Sequence, residues 1–151
     1  MDLATLEAEF AELVFPAFTE ETALHLGLTL VEMARAGALP VVIVIRTPDR
    51  TLFHAALPGS AAINDNWARR KSNTALMFQA PSLLVQSRME AKGEDLARHG
   101  LSPADYASNG GAVTIRTAGA GVVACVTVSG LPQVEDHKLA VAAIRAVLGK
   151  G

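Results

Sequence analysis

Cysteine is all but missing. Cys125 is the only one among 151 residues, so neither an intrachain disulfide nor a cysteine-rich metal centre can form. It lies inside the apolar run Val122-Val123-Ala124-Cys125-Val126, the setting of a buried structural thiol rather than of a reactive one. Charge is scarce as well: charged side chains make up 19% of the residues, with a formal net charge of −2, against roughly 25% in ordinary globular domains. With no positive excess, a partner held by its phosphates is not expected, which sets nucleic acid aside. No run approaches the roughly 18 apolar residues of a membrane span, and no basic stretch followed by an apolar segment and a cleavage site opens the chain. The expected compartment is therefore the cytoplasm, with no membrane partner. GxxxxGK[ST], GxGxxG after a strand, HExxH and GxSxG are all missing, which leaves nucleotide, zinc-protease and hydrolase readings without local support.

What the chain does have is apolar surface. Half of its residues are hydrophobic, enough at this length for one full core, so residues 1–151 are expected to form a single domain. So few charges would struggle to cover a small monomer, which predicts a homo-oligomer, a dimer or larger. Leu3, Leu6, Phe10, Leu13 and Val14 predict a helix over residues 2–15, ended by Pro16. Thr19 is the expected cap of a second helix, with Glu20 and Glu21 in its first turn and Leu24, Leu28 and Val31 along one face as far as Gly37. Two strands follow, 41–45 and 51–57, around Pro48-Asp49-Arg50. A helix capped by Asn64 or Asp65 reaches Gln79, another spans 83–98 and stops at Gly100, and residues 101–109 are polar and turn-prone. Strands 112–116 and 122–128 meet across Gly119-Ala120-Gly121, and a last helix covers 133–148. Strands that come in hairpin pairs predict an α+β sandwich with a mostly antiparallel sheet flanked by helices.

Three constellations could carry chemistry. The segment from Ser129 to Lys138 gathers Gly130, Pro132, Glu135, Asp136 and His137 at a helix start, where free N–H groups and the positive dipole end favour anions. It reads either as capping with a surface histidine or as a ligand or proton-transfer site. In Asn64-Asp65-Asn66-Trp67-Ala68-Arg69-Arg70-Lys71-Ser72-Asn73 the only tryptophan has Arg70 and Lys71 at helical spacing; the two cations either stack on the indole or are displayed toward a carboxylate or phosphate. The alternative is an interfacial helix with a solvated basic face. Gly110-Gly111 after Asn109 allows positive φ, as a ligand cradle or as a plain strand-entry turn. His25, His54 and His99 show no ligand-like spacing.

Trp67-x-x-Arg70-Lys71 with Asn64 and Asn73, then Gly110-Gly111, then Val128-Ser129-Gly130-Leu131-Pro132-Gln133 with Asp136-His137, resemble in this order the haem-degrading-domain superfamily of GlcG-like and HbpS-like proteins. The match is closest to a branch of small uncharacterised proteins. The resemblance implies a profilin-like sandwich, assembly into dimers or larger rings, and haem or another tetrapyrrole as a ligand. Two positions depart from that branch. Ala61-Ala62-Ile63-Asn64 stands where a Thr-Pro-Asp-Asn run is usual, and Asn109-Gly110-Gly111 where His-Gly-Gly is usual.

The reading that joins these features is a ligand-binding homo-oligomer. Asn64, Trp67, Arg70, Lys71, Gly110, Gly111, Ser129, Gly130, Asp136 and His137 would surround a small anionic or aromatic ligand, haem among the candidates. Arg70 and Lys71 would pair with carboxylates, Trp67 would stack, and His137 would serve as axial ligand or proton carrier. A rival from another class is a non-enzymatic assembly or adaptor protein in which the same residues make subunit contacts. A third is an enzyme using Asp136 and His137 as acid and base.

Overall fold

The computed structural model describes residues 1–150. Five helices, α1 (Leu3–Glu12), α2 (Glu20–Ala36), α3 (Ala62–Phe78), α4 (Ser82–Lys92) and α5 (Gln133–Leu148), surround four strands, β1 (Val42–Arg46), β2 (Thr51–Ala56), β3 (Ala112–Thr117) and β4 (Gly121–Ser129). The strands form one sheet in the order β2-β1-β4-β3, and every neighbouring pair is antiparallel. The fold is α+β, as the paired strands predict.

Strand alternation sorts the sheet into two apolar faces. Ile43, Ile45, Val113, Ile115, Ala124, Val126 and Val128 point to one side and form the main core with Leu26, Leu30 and Ala34 of α2 and Ala140, Val141, Ala143 and Ile144 of α5. Ala112 and Cys125 point to the other side and meet Ala75 of α3. A second cluster, Leu6, Leu83, Leu84, Val85 and Met89, ties α1 to α4 beside this sandwich. Burial pushes the Cys125 thiol up to about 11, so it is a core residue and not a nucleophile. Among the described residues, no helix is long and apolar enough to cross a membrane.

The start of α2 is as expected: Thr19 accepts from the Thr22 amide and Thr22 reaches back to the Thr19 amide. Its buried face is not. Leu24 and Leu28 are 45% and 54% exposed, while Ala23, Leu26, Gly27, Leu30 and Ala34 are buried. The polar residues Glu21, His25, Glu32 and Arg35 share one side of the helix, Leu24 and Leu28 fall among them, and the opposite side packs closely because a Cβ on Gly27 would run into the Phe53 ring of β2. Two helix ends also differ. The cap of α3 is Ala61, three residues before Asn64, and Asn64 lies inside the helix at its third position, its Oδ1 accepting from the Ala61 N–H at 2.8 Å. α4 stops at Gly93 in the left-handed region, φ 65°, where Glu94 N–H closes onto the Met89 carbonyl at 2.9 Å. A short 3-10 turn, Ala97–His99, fills the remainder of the expected helix.

Candidate functional site

α3 and α5 lie on opposite faces of the sheet, and they meet past the end of β4. Asp136, in the first turn of α5, folds back onto the loop before its own helix: Oδ1 accepts from Leu131 N–H at 2.9 Å and Oδ2 from Gly130 N–H at 3.4 Å. Oδ2 also receives the Lys71 ammonium of α3 at 3.0 Å, and Lys71 donates to the Val128 carbonyl at 3.3 Å. The pair is enclosed, with Lys71 4% and Asp136 1% exposed. Burial is the largest influence on both, lowering the pKa of Lys71 and raising that of Asp136, each toward its neutral form. Their mutual attraction and the two amides oppose it.

Gly111 makes this pair possible. At φ 137° it occupies a conformation that side chains avoid, and a Cβ there would collide with the Val128 carbonyl and stand 2.7 Å from Lys71 Nζ. Its neighbour Gly110 donates its N–H to Gln133 Oε1 at 2.9 Å, and a Cβ on it would lie 2.7 Å from the Gln133 carbonyl. The paired glycines therefore seat the entry to β3 under the start of α5.

In front of the ion pair lies a pocket of about 240 Å³ lined by Asn64, Trp67, Lys71, Asn109, Ser129, Gly130, Leu131, Gln133 and Asp136. Free donors predominate in it, with Asn109 and Ser129 each contributing both a donor and an acceptor. The Asp136 oxygens are engaged, Asn64 Oδ1 holds the Ala61 amide, and Gln133 Oε1 holds both the Gly110 amide and Gln86 Nε2, the latter at 3.2 Å. These backbone donors fix which way the two amides face. Among the described residues, the amide nitrogens of Asn64 and Gln133 and the Trp67 indole N–H have no partner, and Lys71, with three protons to donate, has two acceptors.

Of the ten residues expected at a site, six line this pocket: Asn64, Trp67, Lys71, Ser129, Gly130 and Asp136. Gly110 and Gly111 stand behind it. Arg70 lies over the Trp67 ring, 4.4 Å from its centroid, and gives its Nε to the Pro103 carbonyl at 2.9 Å. Arg69 and Asn73 hold Ala104 and Asp105 in the same way, so this basic face staples the loop 101–109 and is not simply solvated. His137 does not reach the pocket, which corrects its expected role beside Lys71. Consecutive residues on a helix project about 100° apart; with Asp136 turned to the loop, His137 is fully buried against α1, where Nε2 bonds Glu9 Oε1. Asn109, Leu131 and Gln133 complete the pocket. The first stood in the Asn109-Gly110-Gly111 turn, read as a ligand cradle or a plain strand entry, and the other two stood within the Ser-Gly-Leu-Pro-Gln stretch.

The model of the family described as "Haem degrading protein HbpS-like" matches residues 18–145. The chain belongs to the HbpS-like family. This HbpS-like chain is 48% identical over 151 residues to a UPF0303 protein of Streptomyces coelicolor, the match covering 98% of this chain and 94% of that one. Its fold is similar to the crystal structure of the Ybr137w protein, with TM-score 0.90, 30% identity, and 100% of this chain and 90% of that one covered. It is also similar to that of HbpS, with TM-score 0.70, 25% identity and 92% and 96% covered. A PduOC–haem complex, 20% identical with TM-score 0.73 over 86% of this chain and 94% of that one, shares the fold.

Haem does not fit the pocket of this HbpS-like chain. At about 240 Å³ it is smaller than the roughly 300–1,000 Å³ that drug-sized ligands occupy, and no histidine, methionine, cysteine or tyrosine lines it to hold an iron. His137 is committed to Glu9, while His54 and His99 bond Asp65 and Glu94 at 2.7 and 3.2 Å. Among the described residues, no group of three or more His, Cys, Asp or Glu side chains could hold a metal ion.

Proposed function

We propose that this HbpS-like protein binds a small organic carboxylate in the pocket between α3 and the start of α5. The observation that carries the reading is the pocket's excess of donors: Asn64, Trp67, Lys71 and Gln133 offer free N–H groups while the oxygens of Asp136, Asn64 and Gln133 are engaged, and Asn109 and Ser129 each add both a donor and an acceptor. A ligand that accepts several hydrogen bonds and carries negative charge is the complement of such a lining. Trp67, backed by Arg70, supplies a flat wall for an organic body. Because Trp67 is the only tryptophan, its fluorescence reads the pocket directly. Titration with a panel of small mono- and dicarboxylates should give a saturable change for at least one member. A flat response across the panel, with hemin alone binding, would replace this reading by the tetrapyrrole one.

Self-association is the second part of the proposal, and it rests on α2. Leu24 and Leu28 stand one turn apart with about half of their surface exposed. Trp67 and Arg70 favour it less, since Arg70 is engaged within its own chain. Light scattering should report a dimer or larger species that shrinks in Leu24→Lys/Leu28→Lys. A monomeric parent protein would remove this part.

A further inference from the structure

We infer that Lys71 is a nucleophile toward small α-keto acids, forming an imine in this pocket with Asp136 as its proton partner. The inference rests on the carboxylate-binding reading of the pocket and adds the reacting group.

The placement of the amine carries it. Lys71 is the one lysine taken out of solvent; Lys92, Lys138 and Lys150 are exposed. It lines the pocket with one donor uncommitted, beside a carboxylate 3.0 Å away. Gly111, by lacking a Cβ that would stand 2.7 Å from Nζ, leaves the amine free of side-chain crowding on that flank. Asn64, Trp67 and Gln133 offer the donors that an α-carboxylate requires, and a carboxylate held by them would keep its adjacent keto carbon inside this small pocket with the amine. Burial lowers the Lys71 pKa and raises that of Asp136, so transfer of a proton from ammonium to carboxylate costs less here than in water. It leaves the free amine that carbonyl addition needs.

The steps balance without any other reactant. Asp136 takes one proton from the Lys71 ammonium. The Nζ lone pair then adds to the keto carbon, the C=O π pair moves to oxygen, and an N–H proton transfers to that oxygen to give a carbinolamine. Asp136 returns its proton to the hydroxyl, the C–O bond breaks, and water leaves as the C=N bond forms. The products are a protonated imine on Lys71, one water and the Asp136 carboxylate. Charge is unchanged, and nothing is oxidised or reduced.

The test treats the whole protein with pyruvate and cyanoborohydride, which reduces an imine to a stable amine, and locates the adduct by peptide mass spectrometry. Trp67 fluorescence is followed in parallel with pyruvate and with lactate, which lacks the keto group. The expected result is adduct on Lys71 at about tenfold or more over each exposed lysine, the excess brought by holding the keto carbon beside one amine. Adduct spread evenly over Lys71, Lys92, Lys138 and Lys150 would overturn the inference. A saturable fluorescence change with both pyruvate and lactate but no excess on Lys71 would also overturn it while leaving carboxylate binding intact. If neither compound nor any other carboxylate changes the fluorescence, and Lys71 carries no excess, both readings fall.

Discussion

Replacing Lys71 by methionine should expose how much of this fold depends on one ion pair. The substitution keeps an unbranched stem of four heavy atoms, removes the ammonium, and leaves the Asp136 carboxylate, 1% exposed, facing only the Gly130 and Leu131 amides. Removing one partner of a buried pair costs about 3–5 kcal/mol, because the remaining charge is uncompensated. For a domain of this size each kcal/mol moves Tm by roughly 2–4 °C, so Lys71→Met should lower Tm by about 6–20 °C. The loss should also depend on pH. Without the lysine, only the two amides oppose the burial that raises the Asp136 pKa, so the native state binds more protons than the unfolded state between the ordinary aspartate value and the raised one. Stability then falls as pH rises through that window, and the variant is penalised more at pH 8 than at pH 4. In Lys71→Met/Asp136→Asn the surviving charge is gone, and the double variant should be more stable than the sum of the single losses allows, with a coupling energy of about 2 kcal/mol or more. Urea unfolding of the four proteins at both pH values measures all of this. A single-variant loss below about 1 kcal/mol, as for a surface pair, or strict additivity would refute the reasoning.

Gly111→Ala should be costly for a different reason, a Cβ forced against the Val128 carbonyl and Lys71 at φ 137°, and a loss of about 3 kcal/mol or more is expected in thermal melts followed by circular dichroism. Cys125, buried and with its thiol pushed up to about 11, should resist Ellman's reagent at pH 8 in the native protein and react at the rate of unfolding; fast stoichiometric reaction would place it outside the core. Arg88 holds the Glu7 carboxyl below its ordinary value through hydrogen bonds of 2.6 and 2.9 Å. That depressed pKa gives stability present above the unfolded value of 4.5 and lost as pH falls below it. Because both side chains are more than a third exposed, Glu7→Gln should cost only about 0.2–1 kcal/mol at pH 7, less in high salt; a larger loss in the same urea titration would contradict it.

Much of the architecture could be read from local pattern. The last helix runs from Gln133 to Leu148 as its spacing predicts, and the hairpin pairing of strands leads to an antiparallel sheet. The misses have local causes. Asn64 resembles a helix cap but acts three residues inside α3, and Gly93 ends α4 where Gly100 was the more conspicuous stop. The site was half legible for a geometric reason. Trp67 and Lys71 share a helix, and Ser129, Gly130 and Asp136 share a loop and its helix, so each half shows in the chain. That Lys71 should meet Asp136, 65 residues away, is a property of the sandwich. The partner of His137 was out of reach for the same reason: Glu9 is 128 residues distant, and nothing near either residue points to the other.

The sheet order β2-β1-β4-β3 places β1 and β4 at its centre, and their pairing joins Val42 to Ser129. During synthesis the β1–β2 hairpin and α2 therefore emerge long before the strand that completes their sheet, and Lys71 emerges long before its carboxylate. Until β4 and α5 are made, the nascent chain carries an open strand edge and a cationic side chain bound for an apolar interior. Folding of so non-local a sheet is expected to be slow and to complete in one late step. The Lys71–Asp136 contact can form only after that step, so it marks the arrival of the last helix.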